Sequence, residues 1–457
     1  MSEWAFPASW KQARIGEIFD SWGGLTPSKA NRDYWGEGLP WISSKEVKGA
    51  RLHTSTHTVT RKAIDETGLR ICPTGSVLVV VRSGILAHTL PVAVTTMPVT
   101  INQDVKAFFS EEPLMNEWLA YFLRMSGPQL LASSRRDGTT VQSIQYPLLK
   151  NTVIPVPPLD ERQLVLASIE NALSKQASIL PHLKVARKSV YRLRGAILAA
   201  ACSGRLTDDW RDGNPEASAI DQGPRLPVNK PRKVRGEQPV ELDLPDLPSA
   251  YRVSPLGDIA VLIEYGTSRR TDATAHSGIP VLRMGNIQEG RLNLSDLKYR
   301  ALDSELERLL LADGDLLFNR TNSPELVGKA AVFHGDQATS FASYLIRVRF
   351  DSSVADPDYV NYWINSAWGR AWAWQAKTDG VSQSNINGSK LALMPVPLPP
   401  LAEQQEIVRR ASRLLGFASS LLGRVDRTSF SAQQASRAIL AKAFQGGLAM
   451  KADAAGA

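Results

Sequence analysis

The chain of 457 residues is poor in cysteine, with only Cys72 and Cys202. Two thiols cannot form a disulfide framework, which fits a reducing, cytoplasmic setting. Cys72 precedes a proline and a strand-like run, and Cys202 falls among alanines, so both read as packing residues. No apolar run approaches the roughly 20 residues that a membrane helix requires. The opening "MSEWAFPASWKQARIGEIF" has no basic segment leading into an apolar one, so it does not read as a signal peptide. Catalytic signatures are missing too. There is no GxxxxGK[ST] loop, GxSxG elbow, CxxC pair, NPPY-type tetrapeptide or clustered carboxylate–lysine set. His53 and His57 stand i, i+4 apart, but "HTSTHT" brings no cysteine or carboxylate to complete a metal site. These absences favour a binding protein over an enzyme.

What the chain does have is positive charge and repetition. Its 53 Lys and Arg outnumber 45 Asp and Glu, and the net charge of +8 tilts the expectation toward a polyanionic partner. "DGTTVQSI" at 137–144 matches "DGVSQSNI" at 379–386, "VPPLDERQ" at 156–163 matches "LPPLAEQQ" at 398–405, and "AILAAACSGRL" at 196–206 matches "AILAKAFQGGL" at 438–448. All three pairs are 242 residues apart, so about 70 residues superpose without a gap. Toward the start the offset drifts slightly. "FPASWKQARIGEI" at 6–18 meets "LPSAYRVSPLGDI" at 247–259, and "GLPWISSKEVKGARL" at 38–52 meets "GIPVLRMGNIQEGRL" at 278–292. Solenoid repeats are far shorter, so two units of this size imply an internal duplication with pseudo-two-fold symmetry.

Each copy reads as a variable globular half followed by a helix. Pro155 and Pro157 lack the N–H that a central strand needs. Pro158 suits a first helical turn, with Asp160 and Glu161 at its positive end; Pro399, Pro400 and Glu403 repeat those roles. Then comes a heptad rhythm: Leu166, Ile169, Leu173, Gln176, Leu180, Leu183, Arg187, Val190, Arg194 and Ile197. The second copy answers in register with Val408, Ala411, Leu415, Ala418, Leu422, Val425, Ser429, Ala432, Ser436 and Ile439. Two such helices should pack antiparallel, with Pro181 kinking or dividing the first and Gly423 weakening the second. At ~1.5 Å per residue each is roughly 65 Å long.

The expected fold is α+β: two domains of mixed β-sheet and helix, separated by two long antiparallel, coiled-coil-like helices. The boundaries read as domain one 1–157, helix one 158–207, a Pro- and charge-rich linker 208–246, domain two 247–399, helix two 400–449 and a tail 450–457.

This pattern resembles the specificity subunit of type I restriction–modification systems over nearly the whole chain. The resemblance rests on "DGTTVQSI…IPVPPLDERQLVLASIE", "DGVSQSNI…MPVPLPPLAEQQEIV", the paired openings ending in "GEI" and "GDI", and "GDLLFNRTN" at 314–322. One departure is Ser76, which stands where the second copy has Asp315 and puts the local turn geometry in question. The resemblance implies two target recognition domains, each reading one half of a bipartite, asymmetric site in double-stranded DNA, with the helices setting the spacer. It also implies two methyltransferase subunits and restriction/translocase subunits as partners. S-adenosylmethionine, ATP and Mg would then bind those partners, and this chain would be non-catalytic.

Candidate DNA-binding residues are polar or basic groups in comparable loops. In the first domain these are Lys29, Arg32, Ser43, Lys45, Arg82, Arg135 and Arg136. In the second they are Arg269, Arg270, Arg283, Asn286, Arg320, Asn322 and Lys377. Arginine suits guanine edges and asparagine adenine edges; other cations would hold phosphates. Thr139, Gln142, Ser382 and Gln383 read as turn caps, and Tyr362, Trp363, Trp368, Trp372 and Trp374 as a helical stretch packed on a sheet. Lys184, Arg187, Lys188, Arg192 and Arg194 read as a helix face meeting the paired helix or a protein partner. The competing readings are a duplicated adaptor that joins two copies of a partner without reading DNA, and an enzyme with a diverged site.

Overall fold

The tetrapeptides Val77–Val80 (VLVV) and Leu316–Asn319 (LLFN) form strands in which every residue is buried. A strand covered on both faces belongs in the middle of a sheet, and each of these does. The computed structural model describes residues 6–134, 142–216, 239–271, 278–381 and 383–447. It divides into two compact units, Met1–Lys184 with Asp426–Ala457, and Val185–Val425.

In the first unit the sheet runs Asp20–Gly23, Val105–Phe109, Val77–Val80, Val92–Thr95, Arg51–Leu52. A smaller sheet orders His57–Val59, Trp35–Ile42, Thr100–Ile101. The second unit repeats the order: Ala260–Tyr265, Leu345–Phe350, Leu316–Asn319, Ala330–Val332, then Lys298–Arg300, Ile279–Leu282, Ser340–Phe341. The helix Pro113–Ser134 shares the first core through Trp118, Leu119 and Phe122. Pro357–Asn365 and Ala367–Ala376 share the second through Trp363 and Trp372. The aromatic stretch is therefore packed as expected, apart from Trp374, which is exposed. Among the described residues no helix is long and apolar enough to cross a membrane.

The Ser76/Asp315 difference leaves the turn intact. Gly75 and Gly314 both take a left-handed conformation, with φ of 88° and 83°. The Ser76 N–H donates to Pro73 O at 3.1 Å, and the Asp315 N–H donates to Ala312 O at 3.0 Å. Asp315 Oδ2 accepts from the Ala312 N–H at 2.9 Å, and Pro73 has no N–H to offer an acid. Asp315 is also gripped by Arg349 at 2.7 and 2.8 Å, whereas Phe109 occupies the matching register position in the first sheet. Without those donors a buried carboxylate would be unpaired. Ser76 Oγ instead donates to Pro73 O at 2.7 Å.

The proline-rich motif behaves as its chemistry requires. Among the described residues, Val153–Val156, containing Pro155, pairs only with Lys11–Arg14, and Pro395–Leu398 pairs only with Arg252–Pro255. The long helices follow at once, Leu159–Cys202 and Leu401–Phe444, each of 44 residues. Pro158 O accepts the N–H of Arg162 at 2.8 Å and Pro400 O that of Gln404 at 3.0 Å. Of the two effects expected of Pro181, kinking or division, division does not occur: helix one is continuous from Leu159 to Cys202. Pro181 and Ala177 are both exposed, so the carbonyl that loses its partner at the proline stays in water.

The heptad positions meet within each unit. In the first, Leu166 and Ile169 share a core with Leu440 and Phe444, and Gln176 bonds Ala432 O and Ser436 Oγ. In the second, Val190 packs on Ala418 and Leu422, and Arg194 donates to Ser419 Oγ at 2.9 Å. One helix rises in number as the other falls, so the pairing in each unit is antiparallel.

The helix ends show the duplication at single-residue level. Gly204 (φ 79°) and Gly446 (φ 76°) both turn left-handed after their helices. A Cβ on Gly204 would lie 2.7 Å from Pro248 Cγ, and one on Gly446 would lie 2.7 Å from Pro7 Cγ. The start of each globular domain thus seats on the helix end of the other copy. Within the 208–246 stretch, Asp208–Gly213 is helical, and Val240, Leu242 and Leu244 rest against the second core. Part of this stretch is therefore packed rather than a free linker.

Candidate nucleic-acid interface

In both units the loop that leaves the central strand is tied to the repeated D-G…S motif. Arg82 bridges Ser143, Ser83 N–H donates to Gln142 O at 3.2 Å, and Ile144 N–H to Val81 O at 2.8 Å. In the second unit Thr321–Asn322 pairs with Ser384–Asn385, and Ile386 N–H donates to Arg320 O at 2.8 Å. Side chains reinforce the second knot. Arg320 Nη2 donates to Asn385 Oδ1 at 3.1 Å, Asn385 Nδ2 to Thr321 Oγ1 at 2.7 Å, and the Arg320 guanidinium lies 4.8 Å over the Tyr265 ring. Gln142 and Gln383 close these turns through backbone carbonyls; Gln383 O accepts from the Gly380 N–H at 2.8 Å. Thr139 and Ser382 lie outside the described residues.

The candidate cations divide into free and committed groups. Lys29, Arg32, Lys45 and Arg270 are exposed and form no ion pair with the described residues. Arg82 is half-exposed but donates to Asp104 at 2.6 Å, and Arg269 pairs with Asp303 and Glu305 at 3.2 and 3.0 Å. Arg135 and Arg136 lie outside the described residues.

Three candidates need correction on physical grounds. Asn286 is buried, and its amide is used within its own loop: Oδ1 accepts from Arg283 N–H, and Nδ2 donates to Asn293 O and Asp296 O. It is a loop staple with no edge left for a base. Lys377 is 7% exposed at its side chain, bonded to Asp379 at 2.6 Å and packed 4.2 Å from the Trp374 ring. That bond holds the Asp379 carboxyl below the usual range. Ser43 is held by Glu46, whose carboxylate accepts from both its N–H and its Oγ.

Arg283 and Asn322 are brought together. They line a cleft of about 480 Å³ with Gln288, Asn293, Lys329 and Tyr344. Amides supply both donors and acceptors, which is the chemistry of a base edge. Lys329 Nζ donates to Ile287 O at 3.0 Å, and burial pushes its ammonium pKa down. Arg283 is balanced by Asp296 at 3.1 Å. Gln288, Asn293, Lys329 and Tyr344 were not singled out from sequence. For Gln288 and Asn293 the amide-rich "NIQEGRLN" is the available signal, and Lys329 and Tyr344 carry none.

Among the described residues no group of three or more His, Cys, Asp or Glu could hold a metal ion. His57 instead packs on Trp35 and Trp41. Cys72 and Cys202 are buried, and burial pushes the Cys72 thiol up to about 12. Of the basic helix residues, Arg194 meets the paired helix, while Lys184, Lys188 and Arg192 are exposed.

Comparison with known proteins agrees with this architecture. The family model described as type I restriction modification DNA specificity domain matches residues 7–184 and 248–421. The type I restriction enzyme EcoKI specificity subunit of Escherichia coli (strain K12) is 24% identical over 460 residues, covering 98% of this chain and 91% of that one. The EcoR124I/EcoR124II specificity subunit of Escherichia coli is 33% identical over 162 residues, 35% of this chain and 40% of the other. A chain solved in a study of complex assembly and conformational transition of a type I R-M system has the same fold. Its TM-score is 0.67 at 16% identity, covering 97% of this chain and 99% of that one. Two copies of the family's domain fill most of the sequence, and the chain belongs to the type I restriction–modification specificity subunits.

Proposed function

We propose that this chain reads a bipartite, asymmetric DNA target, one half-site per recognition domain, and holds two methyltransferase subunits and the restriction/translocase subunits in register on it. The observation that carries this reading is the repetition of one sheet order with two different loop sets. The first unit presents Lys29, Arg32 and Lys45, and the second an amide-lined cleft beside Arg283 and Asn322. Equal scaffolds with unequal loops suit two unlike sequences separated by unread base pairs. The chain itself performs no chemistry. S-adenosylmethionine, ATP and Mg belong to the partners, and the complex works in the cytoplasm.

Methylome sequencing of a host with and without the gene tests this. Loss of methyladenine at one split, asymmetric motif is the expected result. Exchange of residues 1–150 for another domain should then change one half of that motif only. An unchanged methylome would favour an adaptor that joins partners without reading bases.

A further inference from the structure

The turn Glu289–Gly290 joins Ile287–Gln288 to Arg291–Leu292, and both of its residues are left-handed, with φ of 52° and 76°. Glycine or asparagine adopts this conformation most readily at such a turn, and the first copy has Gly49 at the position matching Glu289. Glu289 is the only non-glycine residue with positive φ among those described. Its side chain explains its presence. Glu289 Oε1 accepts from Tyr191 Oη at 2.9 Å, Glu289 O accepts from Arg194 Nη2 at 2.8 Å, and Arg194 Nη1 lies 3.7 Å from Oε2. Tyr191 and Arg194 belong to the long helix Leu159–Cys202. On its other side the turn is held by Asn361 Nδ2, which donates to Gly290 O at 2.9 Å.

Besides the apolar core that it shares with Ile197, Ala201, Ile407, Ala411 and Leu415 of the long helices, the recognition domain has polar contacts to them at two places within this unit. One is the proline motif, where Gln404 donates to Val354 O at 3.0 Å and accepts from Asp356 N–H at 2.8 Å. The other is the Glu289 turn. The shared core fixes the base of the domain on the helices, and the Glu289 turn extends that hold along helix one to Arg194 and Tyr191. The turn also adjoins the cleft, whose lining residues Gln288 and Asn293 flank the hairpin.

We infer that Glu289, Tyr191 and Arg194 form a strut that fixes the angle of the second recognition domain on the helix, so that the domain accepts its half-site at one spacer length only. These are positioning residues and touch no base. The inference rests on the bipartite reading proposed above. In the first domain the same loop has no carboxylate to offer a helix. Arg51 instead divides between Glu117 at 2.8 Å and the exposed Glu170 at 3.6 Å.

The test uses the full chain in its assembled complex, with duplex oligonucleotides carrying the methylated motif at its native spacer and at spacers one base pair shorter or longer. Glu289→Gly removes the carboxylate and relieves the left-handed backbone, so it folds at least as well as the parent. Tyr191→Phe removes one hydroxyl. Both variants should bind the native spacer within about twofold of the parent, while the penalty for an altered spacer falls by about tenfold. The double variant should be no more tolerant than Glu289→Gly alone, because both changes break one contact. Glu289→Gln, which can still accept from Tyr191, should keep part of the discrimination. Equal weakening on all three spacers, or no change on any, would overturn the strut. A parent complex with no split target would overturn the bipartite reading instead.

Discussion

Tyr251 donates its hydroxyl to Glu403 Oε1 at 2.9 Å, joining the entrance of the second recognition domain to the first turn of the second long helix. The same oxygen accepts from Thr207 Oγ1 at 2.7 Å and from Arg211. Glu403 is fully buried. Its sequence position suggests a carboxylate beside a helix N-terminus, which is a surface effect. What the fold makes of it is a buried knot tying the end of copy one to the start of copy two.

Glu403→Ala takes the acceptor from the Tyr251 and Thr207 hydroxyls, although Arg211 keeps Asp208, so it should destabilise the second unit by about 1–3 kcal/mol. Its counterpart Glu161 is half-exposed, and Glu161→Ala should cost less than about 1 kcal/mol. Urea unfolding followed by hydrogen exchange in each unit separates the two. Equal effects would mean that Glu403 acts only through the helix terminus.

The turn that carries Asp315 gives a second contrast. Asp315→Ser should destabilise by about 1–3 kcal/mol, since it removes the buried acceptor of the Ala312 N–H and of Arg349, while Arg347 keeps Glu264. Ser76→Asp should also destabilise, because neither a backbone N–H nor an arginine awaits the new charge. The reciprocal exchange is therefore harmful in both directions, and thermal unfolding of each variant checks it. A stabilising Ser76→Asp would show that the first turn can find donors after all.

These cases separate what the sequence displays from what it hides. The duplication, the edge strands around Pro155 and Pro397, and the antiparallel heptads were legible because proline chemistry and periodicity act locally. Helix one passing through Pro181 was not. Local chemistry predicts a kink or a break, but exposure of Ala177 and packing on either side make one missing bond tolerable without a break. The candidate site was less legible still. Asn286 and Arg283 both line the cleft, yet the Asn286 amide is buried and spent within its own loop. Which polar residue is spent internally depends on Asn293 and Asp296, whose places are set by folding rather than by spacing. Lys377 was misread for the same reason, because Trp374 and Asp379 close over it.

His334 supplies a pH dependence. Partial burial disfavours its imidazolium, but Asp358 at 3.0 Å and Asp313 at 3.4 Å outweigh that and raise its pKa above 6.5. A raised folded-state pKa contributes stability that is fully present below the unfolded value of 6.5 and lost as pH rises through the folded value. His334→Gln should therefore lower the melting temperature below pH 6.5 and have little effect in mildly alkaline buffer. The site is half-exposed, so the difference should be small. An NMR titration of the His334 ring with a midpoint at or below 6.5 would remove the basis for the effect.

Base contact and phosphate contact should separate experimentally. Asn322 lines the cleft and its Oδ1 accepts from Ser323 N–H at 2.9 Å, so its amide N–H groups are what it has left to offer a base. Asn322→Ala should relax one position of the second half-site, at a cost of about 1–3 kcal/mol on the correct sequence, and leave the first half-site intact. Lys29 and Lys45 are exposed and unpaired with the described residues, as phosphate-holding residues should be. Lys29→Ala should weaken binding to every duplex alike and reduce the slope of log affinity against log salt by about 1. Fluorescence anisotropy over a salt series, with native and singly substituted duplexes, distinguishes the two behaviours. If Asn322→Ala changed the salt slope and left sequence preference untouched, the cleft would be holding backbone, and base reading would have to lie with other loops of the second domain.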